Sequence, residues 1–158
     1  MLPMHRAEVT IQTDVFDLQA DSLSLAGARV GAQASFLGLV RDDDGSLQAL
    51  ELEHYPGMTE RCIEAMVQEA GRRFGLQGAI VRHRVGRLGV GEPIVWVLTA
   101  APHRRAALDA CAFLIDYLKT QAPFWKKEHG AAGSQWVDAR EADDAALARW
   151  GIERSNAA

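Results

Sequence analysis

Three consecutive basic residues open a predicted long helix. His103, Arg104 and Arg105 follow a strand-like segment and precede an apolar helical pattern that runs to about Gln121. At the start of a helix the first backbone N–H groups lack partners and the helix dipole attracts anions, so cations placed there oppose the dipole. The cluster therefore indicates a bound anion, most simply a phosphate. Pairing of these residues with the acidic N-terminal half of the chain is the alternative.

Two lysines lie near the other end of the same helix. Lys119 falls in its last predicted turn, and Lys126 lies just beyond the break that Pro123 imposes, beside Trp125. A chain that folds back at this break brings both amines into one pocket, where neighbouring positive charge and partial burial lower a lysine pKa. Such an amine serves as an acid, a base or a nucleophile. For Lys119 alone, a favourable contact with the helix dipole is the alternative.

Other residues that carry chemistry give weaker signals. His83 lies between Arg82 and Arg84 on an alternating strand pattern, and we interpret it as a histidine of the sheet. Cys62 and Cys111 fall inside apolar helical patterns without Cys-x-x-Cys spacing, which argues against a zinc site and against a disulfide framework. Buried thiols are the preferred interpretation, and a redox or sulfur-carrying role is the alternative.

Charge is distributed unevenly along the chain. Residues 1–70 contain four basic and twelve acidic residues, whereas residues 71–137 contain ten basic and four acidic ones. A basic middle within a chain of net charge −4 favours an anionic ligand at one site over a nucleic-acid surface, which usually makes a whole domain basic. Scattered, solvated arginines would give the same distribution.

Length and composition predict one globular domain over residues 1–158. A chain of this size buries about two thirds of its unfolded surface and needs no metal or disulfide to stay folded. Its longest apolar stretches, at 94–98 and 110–115, are far shorter than the roughly 18 residues of a membrane span. The first residues lack the apolar core of a signal peptide, so we expect a cytoplasmic protein.

Strand and helix patterns alternate along the chain and must position these residues. Alternating apolar patterns predict strands at 7–13, 28–40, 47–55, 79–88 and 94–101, with a short strand at 135–137 in an otherwise irregular stretch from 124. Helical patterns cover 56–74, 103–121, a short piece within 14–26, and a final helix from Asp143 to Trp150. Turn residues at 42–45 and 89–92 predict two hairpins. The order predicts an α+β fold with antiparallel sheets and two long helices.

Several motifs, in this order, resemble the large, catalytic subunit of molybdopterin synthase. The resemblance is strongest over 28–140. This chain departs from the family at three positions: it has Thr59 where Ala is frequent, Arg82 where a second His is common, and Leu108 where Phe is common. The matching segments lie at 31–41, which ends in Phe-Leu-Gly-Leu-Val-Arg, and at 52–58, 83–92, 103–104, 116–119, 123–128 and 133–137.

The resemblance implies an enzyme that transfers sulfur. Members of this family convert cyclic pyranopterin monophosphate into molybdopterin by inserting two dithiolene sulfurs. Each sulfur arrives as the C-terminal Gly-Gly thiocarboxylate of a small ubiquitin-like subunit. The family forms a homodimer with one small subunit at each end, a heterotetramer, and uses no metal or organic cofactor for this step. The implied fold resembles an α/β hammerhead.

The resemblance also implies roles for individual residues. Lys119 is expected to contact the thiocarboxylate end, and Lys126 to assist proton transfer at the substrate. Phe36 is expected to line the channel that receives the tail of the small subunit.

The substrate itself is expected to contact a different set of residues. The resemblance implies that its phosphate and pterin are held by Arg41, His103 and Arg104, and that Arg140 reaches the pocket from the second protomer.

Two other classes of protein compete with the enzyme. A non-catalytic docking protein for a ubiquitin-like tail or a phosphate ligand would need neither Lys119 nor Lys126, so the presence of both lysines favours the enzyme. The net charge of −4 and the lack of an exposed aromatic and basic strand count against a nucleic-acid binder.

Overall fold

The computed structural model of the chain describes residues 4–137 and 148–151. Within these ranges, eight strands form two four-stranded sheets, accompanied by three helices. The helices are α1 (Leu18–Ser24), α2 (Met58–Phe74) and α3 (Arg104–Thr120). The strands are β1 (Arg6–Gln12), β2 (Ala32–Leu39), β3 (Leu47–His54), β4 (Gly78–Arg84), β5 (Gly86–Leu88), β6 (Pro93–Ala101), β7 (Phe124–Gly130) and β8 (Gly133–Trp136). This architecture confirms the α+β class.

The first sheet has the strand order β1-β4-β6-β2 and carries the main core. Its β1 and β4 are parallel, while β4 and β6, and β6 and β2, are antiparallel. Successive side chains of a strand point to opposite faces. Val81 accordingly packs with α2 and α3 in the main core, whereas Ile80 packs with Leu25 and Trp96 on the other face, beside α1.

The second sheet has the order β5-β3-β7-β8 and is antiparallel throughout. Its apolar cluster is small and consists of Val40, Leu50, Leu52 and Leu88. β3 and β7 run side by side so that His54 lies opposite Phe124 and Leu52 lies opposite Lys126. The segment after α3 is thereby joined to the strand that precedes α2.

The ends of the two long helices match the local sequence. α2 begins where a Glu60 carboxylate oxygen accepts a 2.8 Å hydrogen bond from the Gly57 N–H, and it ends at Gly75, whose φ of 66° is left-handed. α3 begins after His103 with no acidic residue in its first turn and ends with Lys119 in its last. Both predicted long helices are therefore confirmed.

The predicted hairpin between 28–40 and 47–55 is wrong. The turn itself forms, since Asp42 Oδ1 accepts a hydrogen bond from the Gly45 N–H. However, β2 pairs with β6 in the first sheet, and β3 pairs with β5 and β7 in the second. A turn signal predicts a change of chain direction but does not specify the strand that becomes the neighbour, because apolar alternation suits any partner.

The stretch from 124 is also more regular than predicted. It forms the β7–β8 hairpin. Its residues are polar and partly exposed, so the sequence lacks the alternation of apolar and polar residues that predicts a strand. The predicted pairing of 79–88 with 94–101 is correct for β4 and β6, although the first strand breaks at Val85 and its end joins the second sheet as β5.

Two further expectations concern the ends and the extent of the fold. The predicted cap at Asp143 lies outside the described residues, as does most of the predicted helix from Asp143 to Trp150. The single domain over 1–158 stays a prediction. None of the described helices combines the length and the apolar character needed to cross a bilayer.

Candidate active site

His83, on β4, lies at the centre of the candidate site. Its side chain is buried, with 6% of the residue exposed, and its ring stacks on Phe124 with the centroids 3.8 Å apart and the planes 16° from parallel. Nδ1 lies 2.8 Å from the backbone carbonyl oxygen of Arg84. Because a carbonyl only accepts, Nδ1 carries the proton and Nε2 is left as an acceptor. His83 is therefore a neutral imidazole held in one orientation.

Both predicted catalytic lysines act on this imidazole. Burial lowers the pKa of His83 to about 4, and the positive charges of Lys126, Lys119 and His54 lower it as well, against the opposing effect of the Arg84 carbonyl. These three groups therefore lie within electrostatic range of one buried ring. The structure thus brings together the amines that the sequence places on either side of Pro123.

Strand alternation explains how Lys126 reaches the ring. Phe124 and Lys126 are two residues apart on β7, so their side chains share one face of the strand. Phe124 contacts His83, and Lys126 lies one step further along the same face. Lys119 approaches from α3, where its charge in the last turn is favourable to the helix dipole.

His54 and Glu60 add a pair that the sequence analysis did not single out. His54 Nε2 lies 3.6 Å from Glu60 Oε1, and both side chains are largely buried. That carboxylate oxygen is buried and makes no hydrogen bond to any described residue, while the other accepts from Gly57 at the start of α2. Both residues lie in or beside the motif at 52–58, but the proximity of His54 to His83 depends on the pairing of β3 with β7.

Thr59 ties the start of α2 to the break after α3. Its buried hydroxyl accepts a 3.0 Å hydrogen bond from the Tyr55 N–H and donates a 3.1 Å bond to the Pro123 carbonyl. Tyr55 in turn packs edge to face on Trp125, at 4.6 Å between centroids. These contacts fix the segment that carries Lys126.

Phe36 and Arg41 lie on and just after β2. Phe36 is half-buried against the main core, and a side chain at Gly38 would meet its ring and Val95 at 2.8–3.1 Å. Arg41 is exposed, and its Nε lies 2.8 Å from Asp43. Phe36 thus packs beside Gly38 and Val95, and Arg41 lies at the surface.

The predicted anion site lies at the far end of α3 from the lysines. His103 precedes α3 and Arg104 is its first residue; both are exposed, and no side chain of the described residues caps the N–H groups there. Arg104 and Lys119 are 15 residues apart on one helix, or about 22 Å at 1.5 Å per residue. Within one chain they are too far apart to touch the same phosphate or thiocarboxylate. Arg140 lies outside the described residues.

A family model described as MoaE protein matches residues 11–121. This range is more than two thirds of the chain and contains His54, His83 and Lys119. The chain belongs to the MoaE family. The match confirms the family that the motifs indicate.

Curated and solved relatives agree with this assignment. The molybdopterin synthase catalytic subunit of Rhizobium meliloti (strain 1021) is 56% identical over 146 residues, which cover 90% of this chain and 94% of the relative. The MoaE protein of Burkholderia ambifaria MC40-6 is 53% identical, with a TM-score of 0.81 over 93% of this chain and 99% of that one. Molybdopterin synthase from Staphylococcus aureus is 27% identical, with a TM-score of 0.76 over 81% and 95% of the two chains.

The MoaE match also separates the site residues into two groups. Phe36, Arg41, His103, Arg104 and Lys119 lie inside the matched residues. Lys126 lies five residues beyond their end, on β7. The contacts of Phe124 with His83 and of Thr59 with Pro123 join this later segment to the matched part.

The two cysteines of this MoaE chain are both unpaired. Cys111 is buried in the main core, and burial raises the pKa of its thiol to about 11. Tyr117 is buried nearby on α3; its pKa is raised by burial and by its contact with Cys62. A protonated thiol in an apolar core is a poor nucleophile, so the structure supports the interpretation of Cys111 as a core residue.

Proposed function

We propose that this chain is the catalytic subunit of a molybdopterin synthase. It transfers sulfur from the C-terminal thiocarboxylate of a small ubiquitin-like protein to cyclic pyranopterin monophosphate and forms the dithiolene of molybdopterin. The observation that carries the proposal is the pair Lys119 and Lys126 beside a neutral, buried His83 in a chain of the MoaE family. Relatives named as catalytic subunits favour the enzyme over a docking protein, and that name implies a further subunit.

The two lysines suit the two halves of this reaction. The sulfur of the carrier's thiocarboxylate forms a bond to a substrate carbon while that carbon loses its bond to oxygen. Water then hydrolyses the resulting thioester, which releases the carrier as a carboxylate and leaves the sulfur on the substrate. Lys119, exposed at the end of α3, contacts the anionic thiocarboxylate and the charge that develops on the acyl group. Lys126, beside His83, moves a proton at the substrate. Phe36 lines the channel for the Gly-Gly tail.

The phosphate of the substrate needs a second chain. His103 and Arg104 suit a phosphate, but about 22 Å of α3 separates them from Lys119. A homodimer resolves this, because one protomer provides the lysines while its partner provides the start of α3. Arg41 completes the basic surface, and Arg140 reaches the pocket from the second protomer. The functional assembly is then a homodimer with one small subunit at each end.

The distribution of cavities is in keeping with a site completed by other chains. One cavity of about 270 Å³ lies between the start of β1 and residues 24–30, and another of about 400 Å³ lies between β1 and α2. Neither contains Lys119, Lys126 or His83 in its lining. We place the site instead on the surface around the two lysines, where the tail and the partner close it.

The proposal includes a cytoplasmic location and a reaction without metal or organic cofactor. The unpaired Cys62 and Cys111 suit a reducing compartment.

A reconstituted reaction tests the proposal. The protein is mixed with a thiocarboxylated ubiquitin-like carrier and cyclic pyranopterin monophosphate, and dithiolene product is measured. We expect Lys119→Ala to abolish turnover while fold and carrier binding persist, since a lysine at a helix end contributes only about 0.3–1 kcal/mol to stability.

Lys127→Ala is the matched control. Lys127 lies on the other face of β7, with its amine 5.4 Å from the Trp136 ring, so its loss should leave turnover near the wild-type rate. Turnover by Lys119→Ala at the wild-type rate would contradict the catalytic role, and no product from the wild-type protein would contradict the function.

A further inference from the structure

The His83 imidazole has only one polar atom left to interact with the site. Its face is stacked on Phe124 and its Nδ1–H donates to the Arg84 carbonyl, so its orientation and tautomer are both fixed. The remaining Nε2 carries a lone pair and only accepts. The ring is buried and held from two sides, so the lone pair of Nε2 has a fixed direction.

The charged groups that act on the ring are all potential donors to this lone pair. They are Lys126 on β7, Lys119 on α3 and His54 on β3, and the first has the largest effect of the three. His54 has its own carboxylate, Glu60 on α2, at 3.6 Å. Lys119 is exposed at the helix end. Lys126 shares a face of β7 with Phe124, the residue on which His83 is stacked.

We infer that His83 is a positioning residue for Lys126. Its Nε2 accepts a hydrogen bond from the Lys126 ammonium and holds the amine where the reaction moves a proton. The catalytic part of this inference rests on the function proposed above, whereas the contact between the two side chains does not.

Burial makes this acceptor available over a wide pH range. Because the pKa of His83 is lowered to about 4, its ring stays neutral through the range in which the enzyme is assayed. A solvated imidazole would be partly protonated near pH 6.5 and would then repel the ammonium. The buried position therefore protects an acceptor that has to work beside two lysines and a second histidine.

Two substitutions of His83 separate positioning from packing. His83→Phe keeps a ring for Phe124 and removes both polar atoms, whereas His83→Gln keeps an amide donor for the Arg84 carbonyl and an amide oxygen for Lys126. We expect His83→Phe to lower kcat at least about tenfold with little change in KM, because a misplaced catalytic group costs rate rather than binding. His83→Gln should restore part of this loss.

The pH profile provides the readout that packing alone would not move. A hydrogen bond to the ammonium favours its charged form, so its loss should move the basic limb of the kcat profile to lower pH in His83→Phe. His129→Phe, a change on the other face of β7, should keep the wild-type profile. An unchanged basic limb in His83→Phe would overturn the inference.

A second measurement does not depend on sulfur transfer. The rate of acetylation of each lysine by acetic anhydride is followed by mass spectrometry against pH in the protein without carrier or substrate. In His83→Phe, the pH at which Lys126 is acetylated at half its maximal rate should be lower than in the wild-type protein. Lys127 is the internal reference. If this shift occurs but the wild-type protein makes no dithiolene, the contact is supported and the proposed function is refuted. If the rate of Lys126 acetylation depends on pH in the same way in the wild-type protein and in His83→Phe, the contact is refuted.

Discussion

His83 makes the stability of the fold depend on pH. In the unfolded chain a histidine has a pKa near 6.5, whereas burial, reinforced by the nearby lysines, lowers it to about 4 in the fold. Between these values the unfolded state binds more protons than the folded state, so the free energy of unfolding falls as the pH drops. The shift corresponds to about 3 kcal/mol, fully present above pH 6.5 and lost progressively towards pH 4.

Urea unfolding at pH 7.5, 6 and 5 checks this prediction. The wild-type protein should lose stability over this range, and His83→Phe should lose less, because it has no buried imidazole to protonate. Parallel losses in the two proteins would assign the acid sensitivity to other groups.

Some of the site residues could be predicted from the sequence, whereas the surroundings of others could not. His103, Arg104 and Lys119 could be located because helix starts and last turns are local features. The surroundings of His83 could not, because they depend on Phe124, more than 40 positions later, and on the pairing of β3 with β7. The alternating pattern around His83 predicted a sheet histidine correctly but contained no signal for the lysines beside it.

Thr59 links three elements of the fold through its hydroxyl group. Its hydroxyl bonds both the Tyr55 N–H and the Pro123 carbonyl and so connects β3, α2 and the segment that leads into β7. Thr59→Val keeps the shape and leaves two polar groups without partners, which should cost about 1–3 kcal/mol. We also expect a lower kcat, since Lys126 follows directly after this segment.

Urea unfolding together with the sulfur-transfer assay tests the link. Thr59→Ser, which keeps the hydroxyl, should retain more stability than Thr59→Val despite the lost methyl group. Equal stability of Thr59→Val and the wild-type protein would show that the two hydrogen bonds contribute nothing.

Helices were easier to predict than strand partners for a physical reason. α2 and α3 are defined by neighbours three and four residues apart and by ends such as Gly75. β2 and β3 are adjacent in sequence with a turn between them, yet they join different sheets. α3 covers β2 and β6, α2 packs against β1 and β4, and β3 pairs with β7, the strand that follows α3.

α3 separates two groups of basic residues in the chain. Its start carries His103 and Arg104, its end carries Lys119, and about 22 Å lies between Arg104 and Lys119. The helix core residues Phe113 and Leu114 are fully buried, so this spacing is rigid. Under the proposed function we therefore expect the substrate to bind across two protomers, with its phosphate at one end of α3 and its reacting carbons at the other end of the partner's α3.

A mixture of two inactive variants tests this arrangement. Arg104→Ala and Lys119→Ala each remove one side of every pocket in a homodimer. In a mixed dimer, one pocket combines the intact Arg104 of one chain with the intact Lys119 of the other, and the second pocket carries both changes. With equal amounts and free exchange, half of the dimers are mixed, so activity should recover to about a quarter of the wild-type value.

The double variant mixed with wild-type protein controls for exchange, because its mixed dimers hold two singly damaged pockets. If mass spectrometry shows exchange and activity does not recover, the start of α3 does not belong to the pocket of the partner's lysines.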